Sequence, residues 1–313
     1  MNEVIGASKS STQDLVGNAR DEKQWIKFSL LTIIFWGVWG AVISIPETHN
    51  FPVELGFVMW TFSMIIPAVF ALKLIGWKLD YSMQAIIYGS IIGLLGGVGQ
   101  LILYSGAIKN GPAYLIFPII ALAPVVTITM SLILLGERAG ARGWLGIILA
   151  IIAIPMLNYT SAEDDTAQSG WLVFALLVFL AWGVQGYFLK FANQKMKAES
   201  IFFYMAITSL SLAPIAWLMA DAPDTANWSW DGAGLAFGIG LLNAFGALFL
   251  VYAFRYGKAI VVSPMVNCLP PIITTVLSLI LLSVLPPLIT AGGMAVALIS
   301  AYFLAIDEES EKE

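Results

Sequence analysis

Apolar residues run along this chain in long unbroken stretches, separated by short polar ones. Windows of about 20 residues, the length that crosses a bilayer as a helix, fall near 26–45, 53–75, 83–107, 113–135, 141–158, 170–190, 200–219, 232–254, 259–281 and 286–306. The runs are continuous instead of alternating, which excludes a transmembrane β-barrel. The expected fold is therefore an all-α integral membrane protein with ten transmembrane helices. The longest connections are the acidic 159–169 and the Trp- and Asp-bearing 220–231, so a separate soluble domain has no room.

Composition agrees. Of 313 residues, 59% are apolar and 11% charged, and mean hydropathy is +0.86, outside the range of a soluble domain of this length. Glycine and tryptophan are abundant, as close helix packing and interfacial anchoring require. Trp25, Trp77, Trp144, Trp171, Trp228 and Trp230 fall at span ends and read as interface anchors. Cys268 has no second cysteine and His49 no second histidine, so neither a disulfide nor a His/Cys metal centre is expected.

The basic residues orient the chain. With the N-terminus inside, every lysine and arginine except Lys109 falls in an inner segment, and an odd number of spans would destroy that bias. Both termini are then cytoplasmic in a multi-pass cell-membrane protein. The first residues, polar and without a short apolar core or cleavage site, read as an uncleaved arm.

A repeat underlies the ten spans. At a constant offset of 146, Trp36-Gly37-Val38 meets Trp182-Gly183-Val184, and Gly40 meets Gly186. The same offset pairs Gly111 with Gly257, Ala113 with Ala259, Pro118 with Pro264, Pro124 with Pro270, Thr129 with Thr275 and Gly146 with Gly292. One unit is five helices, and an odd count makes the second copy enter from the opposite side. The expected divisions are a cytoplasmic arm 1–25, a first repeat 26–158, an external linker 159–169, a second, inverted repeat 170–306 and an acidic cytoplasmic tail 307–313.

These features resemble the drug/metabolite transporter superfamily, EamA type. The Trp-Gly pair opening each repeat, the prolines of each fourth helix and the glycine of each fifth carry the likeness, together with the stretch 111–138 ending in Glu137-Arg138. The second repeat departs from it, with Ser283-Val284 in place of that pair. The resemblance implies a ten-helix permease with a central cavity lined by helices 1, 3, 4, 6, 8 and 9, helices 5 and 10 lying outside.

Candidate chemistry is sparse. No ionisable residue lies at mid-membrane depth, which disfavours proton coupling through a buried carboxylate and favours an uncharged or zwitterionic substrate. The amides Gln100, Gln185, Asn243 and Asn267 do lie at depth, where each must find a partner or line a wet cavity. Gln100 and Tyr104 end a stripe that starts with Gly89, Gly93 and Gly97; the glycines suit helix packing, and the polar end either faces a cavity or bonds between helices. Asn243 maps by the offset to Gly97. Trp36 and Trp39 in FWGVWG, Trp182 and Gln185 in the copy AWGVQG, and Tyr114 on the proline-bent fourth helix complete the candidate substrate site.

No phosphate loop, HExxH or activated nucleophile occurs, so no catalytic residue and no cofactor are expected. The sequence reads as a secondary transporter, the rival being a membrane receptor or scaffold. Its expected partners are a small-molecule substrate and the lipid bilayer, not nucleic acid, and it is expected as a monomer or weak homodimer.

Overall fold

The computed structural model describes residues 24–43, 45–108, 120–157, 170–220, 223–282 and 287–310. Among these residues there is no strand. Six helices are long and apolar enough to cross a membrane: α1 (Gln24–Thr48), α2 (Val53–Leu74), α3 (Met83–Gly106), α6 (Gly170–Asn193), α7 (Ala198–Met219) and α8 (Trp230–Tyr256). Four shorter apolar helices are α4 (Pro124–Leu135), α5 (Ala141–Met156), α9 (Ala259–Thr274) and α10 (Leu288–Leu304). The expected linker 159–169, Tyr114, Pro118, Lys109, Gly111, Ala113, Ser283-Val284 and nearly all of the arm lie outside the described residues, as does the end of the tail.

Local sequence sets the helix ends. Ser82 caps α3 by accepting from the Ala85 N–H at 3.1 Å, and Pro124 opens α4, where its missing N–H costs nothing. Gly136 closes α4 with φ of 65°, a left-handed turn that a side chain would resist.

The halves interlock by equivalent contacts. Helix α1 packs on α8, as α6 packs on α3; α7 lies on α3 and α2 on α8, and α5 pairs with α10. Matched details recur at each seam. The Trp36 indole N–H points to the Asn243 carbonyl at 3.3 Å, and the Trp182 indole to that of Gly96 at 3.4 Å. Thr274 donates to the Gly37 carbonyl at 2.9 Å and Thr127 to that of Gly183 at 2.8 Å. A Cβ on Gly37 would stand 2.5 Å from that of Ile273, and one on Gly183 2.5 Å from that of Val126.

These pairs correct the gapless repeat. The offset of 146 relates α1 to α6, but α3 with α8 and α4 with α9 are related by one residue more: Gly93 with Gly240, Gly99 with Gly246, Val126 with Ile273, Thr127 with Thr274. For α2 with α7 it is one residue fewer, Trp60 with Met205. Asn243 therefore corresponds to Gly96, not Gly97. Apolar helices tolerate such slips in their connections, and glycine-rich segments give too little side-chain signal to register them.

Connections gather at two ends, one at each end of α2. At one, Asn227 donates its backbone N–H to the Asn50 carbonyl at 3.0 Å and its amide to that of His49 at 3.0 Å, while His49 lies 3.8 Å from Asp231. At the other, the Lys197 N–H donates to the Asp80 carboxylate at 2.8 Å, the Lys197 ammonium lies 3.4 Å from it, and Tyr204 donates to the Asp80 carbonyl at 2.7 Å. This second end also holds Lys78, Arg138, Lys190, Arg255 and Lys258, through Lys197 to the Lys78 carbonyl, Lys258 to that of Arg138, Arg255 to those of Asn193 and Met196, and Lys190 to that of Gly257. Six of the basic residues that the sequence assigned to one face thus meet at one end.

One expected anchor differs. Trp25 is 2% exposed and packs against Gly257, because the close approach of α1 and α8 draws its ring under the α8 terminus. Trp77, Trp144, Trp228 and Trp230 are exposed, as anchors require.

Candidate functional site

The seam between the halves opens into a cavity of about 450 Å³, within the range that encloses a small organic ligand. Its walls come from α1 to α3, the segment 120–123 that leads into α4, and α6 to α9; among the described residues none comes from α5 or α10. Seven expected residues line it: Trp36, Trp39, Gln100, Trp182, Gln185, Asn243 and Asn267. Tyr104 does not. It sits on the π-type turns Leu103–Ile108 and lines a smaller hollow with Glu47, Phe51 and Pro52. That hollow shares Trp39, Ile43 and Trp60 with the main cavity and so extends it toward the 45–53 connection. The opposite end is lined by Leu189, Leu250 and Phe254, next to the cation-rich connections.

Each amide is held in one orientation. The Trp60 indole can only donate, so the atom it meets at 2.8 Å on Asn243 is the Oδ1. Backbone carbonyls can only accept, so Gln185 meets that of Ile92 through its Nε2 at 3.1 Å, and Asn267 meets that of Ser263 through its Nδ2 at 2.8 Å. Gln185 reaches Ile92 by lying flat over Gly96, where a Cβ would collide with its Nε2. At the corresponding place in the other half Asn243 stands under Trp36 and Trp60. Gln100 is 6% exposed and lies within hydrogen-bonding reach of Tyr104, one turn along its own helix. The glycines of its stripe serve packing: Gly89 lies on Tyr204, Gly93 on Met205 and Thr208, Gly97 on Ser209 and Leu212.

Residues 270 and 271 are both proline, so the carbonyls of Val266 and Asn267 lack their helical donors, and both residues line the cavity beside Pro270. No charged residue appears among the cavity's described lining residues, and no cluster of metal-ligating side chains occurs among the described residues.

Sequence reasoning missed α2 and α7, which contribute Trp60, Met64, Met205 and Ser209. Trp60 carried a usable signal, since it lies in mid-span like Trp36 and Trp39. Met205 and Ser209 carried none, because their exposure to the cavity follows from the short glycine-mediated distance between α7 and α3.

An all-helical membrane fold built from two interlocked halves around an uncharged, amide-bearing cavity defines a class of helical membrane transporters. Residues 23–159 and 169–306 each match the EamA-like transporter family, and the chain belongs to that family. Among curated proteins it is similar to Protein LicB of Haemophilus influenzae, with 21% identity over 59% of this chain and 69% of that protein. A solved crystal structure aligns over 93% of this chain and all of its own with a TM-score of 0.73 at 15% identity, which is a likeness of fold.

Proposed function

We propose that this protein is a secondary transporter that moves a small organic metabolite across the cytoplasmic membrane by alternating access. The observation that carries this is the cavity at the seam of two halves whose contacts repeat each other, since two near-equivalent packings are what a rocking mechanism needs. In this reading ten spans form two inverted five-helix repeats, both termini are cytoplasmic, and the basic face is the inner one. The state described is then open toward the outer 45–53 connection through Trp39, Ile43 and Trp60, with Leu189, Leu250 and Phe254 as the inner closure.

Trp36, Trp39, Trp60 and Trp182 supply flat apolar surface, and Gln100, Gln185, Asn243 and Asn267 supply hydrogen bonds. Tyr104 belongs to the outer approach instead of the central site, and Tyr114, outside the described residues, stays a binding candidate on its sequence alone. The test is exchange in proteoliposomes against a panel of labelled amino acids, sugars, nucleosides and polyamines. Exchange of at least one solute, lost in Gln185→Leu, is expected. Failure to exchange any of them sinks the transport reading in favour of a receptor or scaffold.

A further inference from the structure

The cavity has two walls, and each is built from both halves. Helices α1 and α2 lie on α8 with α9 beside them, and α6 and α7 lie on α3 with the segment before α4 beside them. With the offsets that the seam glycines fix, lining residues of one wall correspond to lining residues of the other. Trp36 with Trp182 and Gly40 with Gly186 are the same on both, and these serve packing: the indoles bond the Asn243 and Gly96 carbonyls, and the glycines lie on Thr274 and Thr127.

Elsewhere the walls differ. Where the first has Trp39, Met64 and Ala247, the second has Gln185, Ser209 and Gln100, and Trp60 corresponds to Met205. One wall is therefore aromatic, and the other carries amides and a hydroxyl. Gln185 keeps one amide hydrogen and its oxygen after bonding the Ile92 carbonyl, so it offers a donor beside an acceptor. Two positions run the other way, Asn243 against Gly96 and Asn267 against Ile120. Asn267 turns an amide hydrogen to Ser263 on its own helix, whereas Asn243, its Oδ1 held by Trp60, leaves its N–H groups on the aromatic side.

Resting on the transport reading, we propose that the cavity takes a flat heteroaromatic solute bearing an uncharged carboxamide or lactam, such as a nucleobase or a pyridine carboxamide. Its ring lies on the wall of Trp39 and Trp60, and its amide edge meets Gln185 and Gln100. Indoles stack a planar ring in a way that a saturated ring of equal size cannot reproduce. A side-chain amide pairs with a donor–acceptor edge through two hydrogen bonds at once, as glutamine and asparagine do on base edges. A ring nitrogen or ring carbonyl then accepts from the Asn243 amide.

Thermal shift on detergent-purified protein tests this with two series. One is nicotinamide against cyclohexanecarboxamide and N,N-dimethylnicotinamide; the other is uracil against 5,6-dihydrouracil and 1,3-dimethyluracil. At least one parent compound should stabilise the protein, and saturating its ring or methylating its N–H groups should each weaken apparent affinity about tenfold. Trp39→Leu should erase the preference for the flat ring and keep that for the N–H, and Gln185→Leu should do the reverse. The wild-type series decides alone if a variant fails to fold. Equal binding of the saturated or methylated compounds overturns the inference, as does a flat response to both series or loss of both preferences in each variant. Liposome exchange judges transport separately: exchange of other solutes but of neither parent overturns the substrate class and leaves the transporter standing.

Discussion

The indole N–H of Trp60 on α2 donates to the Oδ1 of Asn243 on α8 at 2.8 Å, between side chains 8% and 7% exposed. The bond locks the amide so that its nitrogen, not its oxygen, remains for a ligand. Trp60→Phe keeps the ring surface and removes the donor. A buried hydrogen bond of this kind contributes about 1.5 kcal/mol, so apparent substrate affinity should fall about tenfold. Asn243→Ala should lose at least as much, and the double variant less than the sum, because each removes the same bond. Concentration dependence of uptake for the four proteins checks this.

Gly96→Ala should separate binding from folding. The new methyl would meet only the Nε2 end of Gln185, a flexible tip that can swing away. Folded yield by size exclusion should stay near wild type while uptake drops about as far as in Gln185→Leu. Cysteine at 185 on a Cys268→Ala background should react with an aqueous thiol reagent, and full protection in every transport state would remove residue 185 from the cavity.

Three residues earlier the same substitution should do the reverse. A Cβ on Gly93 would stand 2.9 Å from the Met205 Cα and 3.1 Å from its carbonyl oxygen, backbone that cannot turn aside. Gly93→Ala should therefore push α3 from α7 and lower stability by about 1–3 kcal/mol. Gly183→Ala and Gly37→Ala, at matched seams, should lower the melting temperature by similar amounts.

The basic-face clasp has a defined pH response. Burial pushes the Asp80 carboxyl up, but the Lys197 N–H, the Ser200 hydroxyl and the Lys197 ammonium outweigh it, and the group titrates below its usual 3.8. A depressed carboxylate contributes stability that is present above its unfolded pKa and lost as pH falls through the lower folded one. Melting temperature should thus be insensitive to Asp80→Asn at the acid extreme and reduced by it near neutrality. An equal effect of the substitution at both ends would discount the clasp.

The fold was largely legible because a bilayer leaves few options: long apolar runs must be helices, and basic residues gather on one side. Trp36, Gln185 and Asn243 were legible for the same reason, since polar or bulky aromatic groups at depth need a purpose. Trp60 had the same mid-span signal, but no polar neighbour in sequence pointed to Asn243 on a helix far along the chain. Tyr104 lines the adjoining hollow and not the main cavity; helical spacing assumes regular turns, and π-type turns begin at Leu103, right after Ile102. The one-residue slips between repeats were invisible until packed glycines marked which residues touch.

The Asn243–Gly96 correspondence makes the seam directional. A protein that rocks between two packings of matched halves would hold both in balance if the halves were identical. Here each carbonyl takes an indole N–H, but one side adds the Trp60 bond to the Asn243 side-chain amide, whereas the other is a glycine under a glutamine tip. Exchanging the packings does not exchange those strengths. On the transport reading, the resting bias of the machine is written into this one mismatched pair, and a substitution that evens it would change which way the empty protein faces.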